Sequence, residues 1–162
     1  MRSHALKSVA IVVFMTASAT LANVITTAAL SGFCAQFGHD LPTSRSSAYA
    51  AGEAFSVGGR IGFWSGWMTG LLLAVLLVIS LSNDWKLTRT GWPFLMTTMV
   101  ALSLAGAFTG RSYALNATSY SIMRPMHVYL PAGLLGGLIV GSLTGVTVAL
   151  WIRSRNHVRA GE

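Results

Sequence analysis

Four stretches of this chain, residues 8–30, 61–82, 93–110 and 130–152, contain no Asp, Glu, Lys, Arg or His, and each runs for 18 residues or more. A helix rises about 1.5 Å per residue, so each run can cross most or all of a hydrocarbon layer about 30 Å thick. A soluble chain of 162 residues has no interior large enough to hide four such runs on every side. Only 9% of the residues are charged, where a soluble domain carries about a quarter. The pattern predicts an all-α integral membrane protein. Its expected form is a four-transmembrane-helix bundle in a single membrane domain spanning residues 1–162.

An even number of crossings puts both chain ends on one side. Seven of the eleven basic residues lie with those ends: Arg2, Lys7, Lys86, Arg89, Arg153, Arg155 and Arg159. The other four, Arg45, Arg60, Arg111 and Arg124, lie in the connections 32–60 and 111–126. The excess of Lys and Arg near span ends marks the cytoplasmic side, so both termini are predicted to be cytoplasmic and both long loops to face outward. In a Gram-negative host this would be the inner membrane. The net charge of +7 follows from these flanking clusters. No basic stripe alternates with exposed aromatic residues, and no nucleic-acid partner is predicted.

The first run follows Arg2 and Lys7, as in a signal peptide, and Ala17-Ser18-Ala19 resembles a small-residue cleavage site. Apolar and small residues continue past that triplet to Ala29, which predicts an uncleaved first helix. In the connection that follows, residues from Ser44 or Ser46 onward, with Ala48, Tyr49, Ala51, Ala54 and Phe55, predict a short interfacial helix. Gly58-Gly59 are expected to break or bend it before the second span. Pro93 suits the first turn of the third span, and the fourth span is expected to begin after His127, Tyr129 and Pro131.

Glycine recurs at every fourth position in two places: Gly58, Gly62, Gly66 and Gly70, and Gly133, Gly137, Gly141 and Gly145. Residues four apart stack on one helix face, so each ladder is a groove without side chains. Within a bilayer such grooves let two backbones approach closely, in the manner of a glycine zipper. The expected use is packing of the second helix against the fourth. The alternative is that one ladder receives another membrane protein or a second copy of the chain.

Chemistry-bearing residues are sparse. Asn23 is the most polar group in the runs, and an interhelical hydrogen bond is its simplest role. The outward loops hold His39, Asp40 and Glu53, and the fourth helix opens on His127. Met123, Met126 and His127 form a compact Met-x-x-Met-His group that could take a soft metal such as copper, with His39 as a further ligand. The simpler reading is that these are interfacial or solvated residues, and no cofactor is predicted. Cys34 is the single cysteine, which excludes an intrachain disulfide and a multi-cysteine metal site. The runs lack the ionisable residue that coupled transporters place within the membrane. No phosphate loop, serine elbow or zinc helix motif is present.

The leading expectation is therefore a non-enzymatic accessory, assembly or scaffold subunit that acts by helix packing, with the bilayer and another membrane protein or itself as partners. A small oligomeric channel with Asn23 and its neighbouring threonines lining a shared path is the second reading. An outward-face metal site is the third.

Overall fold

The computed structural model describes residues 2–37, 47–82, 92–117 and 124–160. Four helices account for nearly all of them: α1 (Arg2–Phe37), α2 (Ser47–Ser82), α3 (Trp92–Leu115) and α4 (Pro125–Ala160). Each is long and apolar enough to cross a membrane, which suits a multi-pass membrane protein. Leu and Ala favour helix intrinsically. The numerous hydroxyls do not compete against it, because many bond back to their own helix. Ser18 donates to Phe14 O at 2.8 Å, Thr26 to Ala22 O at 2.8 Å and Thr147 to Leu143 O at 2.8 Å. A hydroxyl satisfied in this way can face an apolar medium without orphaning a donor.

The helices run up and down in chain order as two tightly packed hairpins, α1 with α2 and α3 with α4. The hairpins join chiefly along α1 and α4, with α2 touching both α3 and α4, while α1 and α3 do not meet among the described residues. Three apolar clusters mark the depth of the bundle. Leu77, Phe94, Val148 and Ile152, with Ile11 and Met15, close the end that holds both termini. Leu73, Leu102 and Val140 fill the middle. Ala35, Ala54, Ile61, Ala114, Val128 and Tyr129 close the opposite end.

The outer surface, unlike that of a water-soluble bundle, is as apolar as the interior. Asn23, Thr27, Ser65 and Thr98 are wholly or almost wholly buried, whereas Phe14, Leu104, Phe108 and Leu143 stand on the outer surface. Buried hydroxyls and an amide beside the apolar clusters, with large apolar side chains on the outer surface, are what an apolar surrounding selects.

Three local expectations are corrected. Gly58-Gly59 do not break the helix, since α2 runs unbroken from Ser47 through both. Gly58 is buried against Thr27 and Ser31 of α1, so its small size serves packing rather than a turn. Pro131 lies inside α4, and it is Pro125 that takes the first-turn position. The connections are also shorter than the apolar runs imply. α1 reaches Phe37, α2 starts at Ser47, α3 reaches Leu115 and α4 starts at Pro125. α1, α2 and α4 have 36 residues each, about 54 Å of helix, and so extend well beyond their uncharged runs.

Candidate functional site: two glycine seams and a buried amide

Each glycine ladder faces the neighbouring helix of its own hairpin, which corrects the expected pairing of the second helix with the fourth. Along α2, Gly58 sits against Thr27 and Ser31, Gly62 against Asn23 and Val24, Gly66 against Ala19 and Thr20, and Gly70 against Thr16. A Cβ at Gly66 would lie 2.9 Å from Thr20 Cα, and one at Gly62 would collide with the Asn23 carbonyl. Along α4, Gly133 faces Gly106, Gly137 faces Leu102 and Gly141 faces Thr98 and Met99 of α3, all at backbone contact. Gly145 meets Leu95 and Thr98. The α3 side adds Gly106 and Gly110, whose missing side chains admit the Gly133 and Tyr129 carbonyls. The physical reason for this pairing is chain connectivity. Helices joined by a short connection lie side by side, and a seam of bare backbone then forms first with that neighbour.

A polar stripe on α1, Thr16, Thr20, Asn23, Thr27 and Ser31, lines its half of the first seam. Asn23 is completely buried. Its Nδ2 donates to Ser65 Oγ at 2.8 Å and to Gly62 O at 3.3 Å on α2. Ser65 passes its own proton to Ile61 O at 2.7 Å. Thr27 donates to Asn23 Oδ1 at 3.4 Å. Thr27 also touches Gly136 of α4, where a Cβ would lie 2.5 Å from its Oγ1. The amide thus ties α1 to α2 and, through Thr27, adjoins the contact between the hairpins.

The second seam holds an interhelical bond of the same kind. Thr98 Oγ1 lies 3.0 Å from Gly141 O of α4 and 2.8 Å from Leu95 O of its own helix. The hydroxyls of Thr16 and Ser31, toward the two ends of the first seam, have no partner among the described residues. Ser65, Thr98 and Gly136 do not stand out in the sequence. Hydroxyls are common in these runs, and Gly136 falls outside the four-residue period.

The outward-loop residues do not assemble into a centre among the described residues. His39, Asp40 and Met123 lie outside those residues. Met126 is half-buried against the apolar cluster that contains Ile61 and Tyr129, while His127, the next residue on α4, is exposed. Glu53 is half-buried on α2 and sits close enough to Tyr129 for its charge to act there. No group of three His, Cys, Asp or Glu able to hold a metal occurs among the described residues. Cys34 is a free, half-buried thiol packed on the same cluster. No protein-family model, curated protein or solved structure matches the chain.

Proposed function

We propose that the chain is a multi-pass membrane protein without an enzymatic centre of its own, an accessory or scaffold subunit whose work is helix packing of the glycine-zipper kind. Both termini face the cytoplasm, because most Lys and Arg flank the ends of the runs on that side. In a Gram-negative cell the membrane is the inner one. The observation that carries the reading is how the buried polar groups are used. Every buried side chain other than apolar ones is a Ser, Thr or Asn, with no buried charge among the described residues. The two that reach across helices, Asn23 and Thr98, hold the two seams together.

That use supports packing over conduction. An amide lining a shared polar path would face a lumen, whereas Asn23 is enclosed between α1, α2 and Thr27. With both ladders occupied within the chain, contact with a partner falls to the outer surface.

The test is purification in mild detergent, with mass and metal content read from one peak. The expected result is a metal-free peak containing a second membrane protein. A single copy or homo-oligomer holding stoichiometric copper or zinc, lost in His127→Ala, would overturn it in favour of an outward-face metal site.

A further inference from the structure

Between α1 and α4, at the end of the bundle that holds both termini, lies a side-opening apolar groove of about 500 Å³. Its walls include Ile11, Met15 and Ser18 on one side and Leu143, Thr147 and Trp151 on the other. The α1 wall runs from Ile11 to Ala22, about 16 Å of helix, which matches half of a hydrocarbon layer about 30 Å thick. The hydroxyls of Ser18 and Thr147 are already bonded to Phe14 O and Leu143 O. The groove therefore offers an apolar cradle one leaflet deep.

Continued by one turn toward the helix ends, each wall reaches a basic position of the sequence. The α1 stripe of residues 11, 15, 18 and 22, extended back by one turn, places Lys7 in register. The α4 stripe of residues 144, 147 and 151, extended forward by one turn, places Arg155 in register. A second groove on the outer side of α1 and α2, lined by Val12, Thr16, Phe63 and Trp67 among others, lacks this arrangement. Its walls continue onto Leu6 and Val9 on α1 and onto Val75 and Val78 on α2, which carry no charge.

We infer that the α1–α4 groove is a binding site for one anionic phospholipid of the leaflet next to the termini. An acyl chain lies between Ile11 and Trp151, and the headgroup phosphate sits at the register of Lys7 and Arg155. The inference rests on the membrane-spanning reading above. The observations that select this occupant are the one-leaflet depth and the charge at one end only. A neutral lipid would fill the cradle but gain nothing from the two cations, and basic pockets between helices on the cytoplasmic side suit anionic headgroups. Trp151 lies at the depth where indole rings favour the headgroup boundary.

The test is native mass spectrometry of the full chain in mild detergent with equal amounts of phosphatidylglycerol and phosphatidylcholine. One phosphatidylglycerol should be retained with a preference on the order of tenfold, as expected for two cations near a lipid surface. Lys7→Gln with Arg155→Gln should bring the two lipids to equal retention. Ser18→Phe with Thr147→Phe should remove the bound lipid of either kind, with helical content unchanged. Arg60→Gln with Arg111→Gln, at the opposite end, should leave the preference intact. Equal retention of the two lipids by the natural chain would overturn the inference, as would loss of the preference in the opposite-end variant. A dimer that the Phe pair dissociates would assign the groove to a second copy and overturn it too. Failure of the membrane reading shows separately, because the chain would then not float with lipid vesicles.

Discussion

At the scale of single residues, the buried Asn23 and Thr98 each bond across helices, and their removal should be graded. Asn23→Ala deletes the bonds to Ser65 Oγ and Gly62 O and leaves a void in a fully buried position. Ser65 keeps its bond to Ile61 O, whereas the buried Thr27 hydroxyl loses its acceptor, Asn23 Oδ1. The expected cost is about 2–3 kcal/mol, the sum of lost interhelical hydrogen bonds in apolar surroundings, a small cavity and the Thr27 hydroxyl left without its acceptor. Thr98→Val keeps the shape and loses one bond to Gly141 O, for a cost of about 0.6 kcal/mol. The two lie in different seams, so the double variant should lose about the sum. Reversible unfolding in mixed detergent, followed by helical signal, reads all three. A neutral Asn23→Ala would mean that the amide does not join α1 to α2. Asn23 is legible in the sequence as the one amide in the apolar runs. Its partner Ser65 is not, because a serine in such a run is usually satisfied by its own backbone.

At the scale of elements, the position of a glycine within its helix decides the sign of a substitution. Gly52 and Gly59 lie in α2, yet a Cβ at Gly52 meets nothing within 4 Å, and one at Gly59 first meets Ala28 Cβ at 3.9 Å. Gly52→Ala and Gly59→Ala should therefore stabilise the helix by about 0.5–1 kcal/mol each, through reduced backbone freedom of the unfolded chain. Gly62→Ala and Gly137→Ala place the same methyl into the backbone of Asn23 and of Leu102. Each forces the seam apart and should destabilise by about 1–3 kcal/mol. Gly137→Leu should abolish the α3–α4 contact. The same unfolding assay separates the two classes, and equal behaviour of Gly59→Ala and Gly62→Ala would refute the seam. The four-residue period of glycine makes both seams legible in the sequence, but not the partner of either. A ladder states that something comes close without stating what, and here connectivity chose the adjacent helix. The same limit applies to Gly58-Gly59, where a bend signal in the sequence is a packing contact in the bundle.

At the scale of the whole molecule, the number of helices and their alternating course are legible from the uncharged runs, while their full lengths are not. Residues 47–60 carry Glu53 and Arg60 and read as a connection. They continue α2 because Ala50, Ala54 and Val57 share the buried face that packs at that end of the bundle. The resulting shape places the α1 start and the α4 finish together, since Ile11, Met15, Val148 and Ile152 meet in one cluster. The proposed orientation can then be tested with two labels at opposite ends. In a Cys34→Ser background, His127→Cys and Ser154→Cys each put a single thiol at an exposed position of α4. In intact cells, or in spheroplasts where an outer membrane intervenes, a membrane-impermeant maleimide should modify the thiol at 127. The thiol at 154 should react only after the membrane is opened. The reverse pattern would invert the orientation drawn from Lys and Arg while leaving the four-helix fold untouched. Labelling of both thiols from one side would be more damaging, because α4 would then not cross, and the lipid site between α1 and α4 would lose the leaflet it requires.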